Sequence, residues 1–134
     1  MEEAERAYRA LLRDNPNNVD AMRLLAGIVA NRHNVDEAEP LLRSAIALAP
    51  DFYLALLDLG GILHEQHRYA EAIECFERAV ELEPNSSRSH YMLASTQAPA
   101  GQTYRALDSY RRVLELRPQH AGAWLGLGHT LKTV

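Results

Sequence analysis

Proline returns at a fixed interval along this chain of 134 residues. Pro16, Pro50, Pro84 and Pro118 are each separated by 34 residues. One globular core has no need of such a spacing, whereas a stack of equivalent units does. Proline also ends a helix, because it lacks a backbone N–H and restricts the residue before it. The interval therefore predicts a helical array in which a proline closes each unit.

Setting the proline at position 32 of each unit divides the whole chain. Residues 1–18 form the second half of a unit, residues 19–52, 53–86 and 87–120 form whole units, and residues 121–134 form the first half of another. Apolar or small residues at positions 4, 7, 8 and 11 share one helical face. We expect eight helices, near residues 2–14, 19–32, 36–48, 53–66, 69–82, 87–98, 103–116 and 121–133.

The residues at these positions resemble the pattern of the tetratricopeptide repeat, a helix–turn–helix unit of 34 residues. In that pattern Trp, Leu, Gly and Tyr on the first helix are followed by Ala, Phe and Pro. The second whole unit fits well, with Leu56, Leu59, Gly60, Leu63, Ala72, Phe76 and Pro84. Both half units also fit, and the unit at residues 87–120 diverges most. The resemblance covers the whole chain. It implies an all-α solenoid of antiparallel helix pairs, wound into a right-handed superhelix.

Two further prolines depart from the interval. Pro40 lies about six residues into the third helix, where a proline removes one backbone hydrogen bond or kinks the helix. Pro99 should end the sixth helix early and make the loop from Ala98 to Thr103 irregular. We therefore expect local strain at both places.

Composition narrows the range of partners. The net charge is −4, whereas general nucleic-acid binders are usually basic. No apolar run approaches the ~18–20 residues that span a bilayer, and the first residues lack the apolar core of a signal peptide. Cys75 is the single cysteine, which fits a reducing compartment. We expect a cytoplasmic protein that binds neither nucleic acid nor membrane.

No arrangement of residues in the sequence indicates catalysis. His64 and His67 are three residues apart, whereas the His-Glu-x-x-His zinc motif needs four. His33 and His67 fall at the turn position where members of the repeat family commonly carry glycine. The sequence has neither a nucleophile elbow nor a phosphate-binding loop. We expect no enzymatic activity within this chain, no metal and no cofactor.

The resemblance also implies where a partner binds. In this family the first helix of each unit lines a groove, through positions 2, 5, 6, 9 and 12. The predicted groove has an apolar middle surrounded by charged residues, which suits a protein or peptide segment with one or two apolar anchors. The alternative is that Leu54, Leu57 and Met92 pack between units. The expected partner-binding residues are Arg23, Leu54, Leu57, Asp58, Arg88, Tyr91, Met92, Ser95, Leu125 and His129.

Chaperone-binding members of the family hold a terminal carboxylate with Lys and Asn at set groove positions. Arg23 could replace the first Lys, but Gly27 and Asp58 stand where Asn is needed. The resemblance therefore does not extend to that ligand.

Both half units lack a pairing helix, and the expected self-association residues are Ala4, Tyr8, Leu11, Trp124, Leu127 and Leu131. Two explanations stay open: either the chain is a fragment of a longer protein, or its ends meet another copy. The tail from Trp124 to Val134 also resembles repeats that precede the catalytic domain in bacterial fusions with sulfotransferases. Three functions follow as hypotheses: an interaction scaffold, a substrate-recruiting segment of a larger enzyme, and a structural spacer.

Overall fold

A computed structural model describes residues 2–134, and in this range the chain forms eight α-helices and no strand. Each helix lies within two residues of the span predicted from the repeat, so the all-α prediction is confirmed. The helices are α1 (Glu3–Asp14), α2 (Val19–Asn31), α3 (Val35–Leu48), α4 (Tyr53–Glu65), α5 (Tyr69–Leu82), α6 (Ser87–Gln97), α7 (Thr103–Leu116) and α8 (Ala121–Leu131).

The helices pack as a stack of pairs. Helices α2 and α3, α4 and α5, and α6 and α7 pack most closely, and each is one unit of the array. The second helix of each unit then packs on the first helix of the next. Helix α4 also touches both α2 and α6, so these three first helices form a continuous row. None of the helices in residues 2–134 is long and apolar enough to cross a membrane.

The same turn joins the two helices of every whole unit. His33, His67 and Gly101, all at position 15, have φ angles of 61°, 60° and 88°. The next residue donates its backbone N–H to the carbonyl five residues earlier, at 2.9 Å in each case. This bond closes the helix end around a left-handed residue, a conformation that costs glycine least. The two histidines therefore occupy a glycine position, as the family pattern suggested.

Pro99 shortens its helix as predicted, because α6 ends at Gln97, two residues before the ends of α2 and α4 at the equivalent position. The loop that was predicted to be irregular is longer than in the other units, but it ends in the regular way. Gln102 still donates to the carbonyl of Gln97, so the turn closes with the bond found in the other units. Pro40 leaves α3 continuous from Val35 to Leu48. It cannot donate to the carbonyl of Asp36, but this part of the helix is exposed and water can replace the lost bond.

Each first helix starts at the same position of its unit, and three of the four starts carry a side-chain cap. Asn18, Ser86 and His120, all at position 34, accept hydrogen bonds from the backbone N–H three residues later, at 3.1, 3.3 and 3.0 Å. Such caps satisfy N–H groups that have no partner inside the helix. Asn34 precedes α3 but makes no capping bond.

The core forms two apolar clusters. The larger one runs from α2 to Leu93 in α6 around Phe76, which is fully buried. The smaller one surrounds Tyr110 and lies between α6, α7 and α8. Helix α6 separates them and buries polar side chains, which are Ser89, His90, Thr96 and Gln97. The most divergent unit of the sequence is thus the one that places hydrogen-bonding groups inside.

Candidate functional site

A groove of about 370 Å³ runs across the first helices α2, α4 and α6. Residues from all three helices line it, so its shape depends on how neighbouring units stack. The lining residues are Ala26, Gly27, Ala30, Asn31, Leu42, Leu57, Asp58, Gly61, Ile62, Glu65, Arg88 and Met92.

Two glycines keep the groove open. Gly27 and Gly61 both lie at position 9 of their units. A Cβ atom added at Gly27 would meet nothing within 4 Å, and one at Gly61 would meet only the methyl carbon of Met92, at 3.6 Å. Both glycines therefore present bare helix surface to the groove. A ligand backbone can approach closely at such places.

The charged side chains of the groove differ in whether they have an ion-pair partner. Arg23 donates through Nε to Asp58 Oδ2 at 2.8 Å, and both side chains are about one quarter exposed. This pair links α2 to α4 across the groove and neutralises both groups. Arg88 is exposed on α6, and in the described part of the chain it forms no ion pair or side-chain hydrogen bond. The groove thus has one neutralised pair and one unpaired cation.

The structure brings part of the predicted binding set together. Asp58, Arg88 and Met92 line the groove, and Arg23 reaches Asp58 at its side. Leu54 is half-buried at the start of α4 and does not line the groove. Two other members lie on α8, exposed and apart from the groove; they are Leu125 and His129.

Leu57 lies beneath the surface of the groove, contrary to its predicted role in binding. Its side chain has no exposed surface, and it belongs to the large apolar cluster. It supports the groove from beneath and offers no surface to a partner, so for this residue the alternative of packing between units holds. The position pattern failed here because a period identifies a helical face, but not which neighbouring helix covers it.

Tyr91 and Ser95 build the next junction along the array. The Tyr91 ring lies 4.7 Å from the His120 ring and 6.2 Å from the Tyr110 ring. Ser95 donates its hydroxyl to the carbonyl of Tyr91 at 2.9 Å. Burial raises the pKa of Tyr110. Both predicted residues are half-buried and are engaged within the fold.

Asn31 and Glu65 line the groove but were not predicted from the sequence. Both lie at position 13, one helical turn beyond the glycines at position 9. Extending the series of positions by four residues would have found them, because residues four apart share a helical face.

The six predicted end residues lie on α1 and α8. Ala4, Leu11, Trp124 and Leu131 are exposed, whereas Tyr8 and Leu127 are half-buried. The indole N–H of Trp124 donates to the carbonyl of Pro118 at 2.8 Å, which holds the ring at the start of α8.

The histidines that invited a metal interpretation have protein partners. His64 Nδ1 lies 2.8 Å from the Thr96 hydroxyl, and His67 Nδ1 lies 2.7 Å from the Tyr69 hydroxyl. Thr96 donates its own hydrogen to the carbonyl of Met92, so His64 must donate to Thr96. Within residues 2–134, no three His, Cys, Asp or Glu side chains are placed to hold one ion.

Solved structures share this fold at low sequence identity. A crystal structure of MamA superposes with a TM-score of 0.90 at 22% identity, covering 96% of this chain and 75% of that one. The TPR domain of Arabidopsis OM64 covers 87% of this chain and 96% of its own, with a TM-score of 0.81 at 14% identity. The first TPR of Spaghetti (RPAP3), bound to the HSP90 peptide SRMEEVD, covers 86% of this chain and 91% of its own, with a TM-score of 0.83 at 16% identity.

Family models agree with the structural likeness, although no curated protein matches the sequence significantly. Residues 30–96 and residues 2–51 match two models described as tetratricopeptide repeat. Residues 65–132 match a model of the same repeat type, described as anaphase-promoting complex, cyclosome, subunit 3. Two of these matches each span at least half of the chain, and together the three cover nearly all of it. The chain belongs to the tetratricopeptide repeat family.

Proposed function

We propose that the protein is an interaction scaffold that binds a peptide segment of another protein in the groove along α2, α4 and α6. The observation that carries the proposal is the open surface at Gly27 and Gly61, flanked by the half-buried side chain of Met92. A ligand backbone can lie over the glycines while an apolar side chain contacts Met92 and Ile62. The relative bound to a peptide supports this class of partner.

The charges favour a segment other than the chaperone terminus. A terminal carboxylate is held best by more than one unpaired donor, but Arg23 is already bound to Asp58 at 2.8 Å, which leaves Arg88 as the unpaired arginine among the described residues of the groove. Gly27 offers no side chain to hold such a group. We infer an internal segment, held mainly by its backbone and an apolar anchor.

The test uses a displayed library of random peptides, selected on the immobilised protein. Enriched peptides are then measured against Gly61→Gln, whose side chain would fill the groove. This change leaves the core untouched, since a Cβ at Gly61 makes only ordinary contact. The matched control is Ser44→Gln, on the exposed surface of α3 and outside the groove. Leu57→Glu is unsuitable, because it would bury a charge and unfold the protein.

We expect the enriched peptides to bind the wild type and Ser44→Gln equally, and Gly61→Gln at least about tenfold more weakly, which corresponds to ~1.4 kcal/mol. Circular dichroism should show that both variants are folded. Equal binding by Gly61→Gln would place the peptides elsewhere and overturn the proposal. A library that yields no binder would favour the structural spacer. The alternative of a substrate-recruiting segment, in a sulfotransferase or another enzyme, would use the same groove and stays a prediction.

A further inference from the structure

Helix α1 shows a face that every whole unit covers. It is a second helix by position, with Ala4, Tyr8 and Leu11 at positions 20, 24 and 27. Ala4 is exposed, Leu11 is 46% exposed and Tyr8 is half-buried. In the second whole unit the side chains at these positions have no exposed surface, because the paired first helix covers them; they are Ala72, Phe76 and Ala79.

Helix α8 shows the opposite half of the same contact. It is a first helix by position, with Trp124, Gly128 and Leu131 at positions 4, 8 and 11. Trp124 is 56% exposed and Leu131 is 45% exposed. The equivalent residues of α4 are buried against α5; they are Leu56, Gly60 and Leu63.

Gly60 shows what fits this face. A Cβ atom at Gly60 would lie 2.4 Å from the ring of Phe76, so the absence of a side chain at Gly60 makes room for an aromatic ring. Gly128 is its equivalent in α8, and a Cβ there would meet nothing within 4 Å. The residue that corresponds to Phe76 in α1 is Tyr8. One end of the molecule therefore has the receiving glycine, and the other end has the ring.

We propose that α8 of one molecule pairs with α1 of a second copy, forming a composite unit equivalent to α4 with α5. The occupant is a second copy because the two faces are the two halves of one contact that the fold makes within its own units. The interface is heterologous, since a different surface is used on each side. Each added molecule exposes a fresh end, so the assembly grows with concentration. The contact is separate from the groove.

Two variants test the proposal without disturbing the fold. Gly128→Gln fills the ring-receiving site on exposed helix surface and leaves α1 intact. Ala4→Glu places a charge on the exposed face of α1, in its first turn where acidic residues are favourable, and leaves α8 intact. Trp124 is a poorer choice, because its indole bonds to the carbonyl of Pro118 and changing it would disturb α8 itself.

The measurement is the mass in solution, by sedimentation or light scattering over a wide range of concentration. We expect the wild type to rise well above 15.0 kDa with concentration, whereas each variant alone stays at 15.0 kDa. An equal mixture of the variants should form dimers of twice that mass, since the α8 of Ala4→Glu and the α1 of Gly128→Gln still fit together. Gly61→Gln should assemble like the wild type.

Three results would overturn the proposal. A wild type that stays at 15.0 kDa at every concentration would show that a second copy does not cover these faces. Association of either variant alone would indicate contacts between like ends or non-specific aggregation. A mixture that stays monomeric would show that α8 and α1 do not recognise each other.

Discussion

The junction between the units that hold α3 and α5 and the junction between the units that hold α5 and α7 use the same unit positions, 34 residues apart, yet they differ in chemistry. The first has an apolar floor of Leu56, Leu59 and Leu63 beside Cys75, and it contains a crevice of about 320 Å³. In the second, His90, Gln97 and Ser109 replace Leu56, Leu63 and Cys75. There Ser109 donates to Gln97 Oε1 at 2.7 Å, and His90 donates to the carbonyl of Pro84 at 2.8 Å.

The difference shows two ways to join equivalent units. An apolar junction is stabilised in proportion to the apolar area it buries, and its lining atoms need no specific hydrogen-bond partners. A polar junction must pair every buried group, because an unpaired donor or acceptor costs about 1–3 kcal/mol. The second junction of this protein thus depends on individual hydrogen bonds, whereas the first depends on surface area.

The largest effect is expected in the apolar region. Phe76→Ala should lower the free energy of unfolding by about 3–5 kcal/mol, because its ring is fully buried against Gly60. Tyr110→Phe, at the same position one unit later, removes only a hydroxyl and should cost about 1 kcal/mol. Urea denaturation measures both values. If Phe76→Ala costs no more than Tyr110→Phe, burial does not dominate the first region.

The stability of the polar junction should depend on whether its buried groups are hydrogen-bonded rather than on the size of its side chains. Ser109→Ala leaves the buried side-chain oxygen Oε1 of Gln97 without its donor and should lower the free energy of unfolding by about 1–3 kcal/mol. Adding Gln97→Leu removes the unpaired group and should recover most of that loss. A double-mutant cycle gives the coupling energy between the two positions. Additive losses would show that the hydrogen bond is not what holds the junction.

Acid should weaken the apolar junction more than the polar one, though only slightly. Hydrogen bonds from Arg68 hold the pKa of both Glu39 and Glu71 below the usual value of 4.5, and these bonds bridge α3 and α5. In α7 the ion pairs stay within the helix. A depressed pKa in the folded state stabilises above pH 4.5, and this contribution is lost as the pH falls through the folded-state pKa.

Glu39→Gln tests this sign directly. The variant should have a lower urea midpoint than the wild type at about pH 6. The gap should narrow towards about pH 3, because the difference is lost as the pH falls through the lowered pKa of Glu39 in the folded chain. A gap of equal size at both pH values would mean that the charge of Glu39 contributes nothing.

The smallest expected effect concerns the reactivity of the Cys75 thiol and does not involve the stability of the protein. Burial raises the pKa of the Cys75 thiol, so at neutral pH a smaller fraction is thiolate than in an exposed cysteine. Alkylation of the folded protein should therefore be several-fold slower than alkylation in urea. Equal rates in the two conditions would contradict this.

The repeat period was enough to predict the helices and the array, because position in a unit determines which helical face is buried. The period was not enough to predict the burial, capping or ion pairing of individual side chains. Leu57 shares a face with groove residues but is covered by its neighbours. His120 caps α8 through a ring nitrogen, and nothing in the local sequence indicated a histidine in that role. The Arg23–Asp58 pair joins residues 35 apart, and its formation depends on how the units stack.

The stacking order also affects how the chain reaches its native state. Close packing joins each helix only to the next helix or to the one after. Proteins dominated by such short-range contacts fold quickly, because little chain entropy is lost before contacts form. Residues 53–86 hold the most buried apolar side chains, so this unit can form first and serve as the template for its neighbours. Folding would then spread outward in both directions, and during synthesis it could begin before the last helix has left the ribosome.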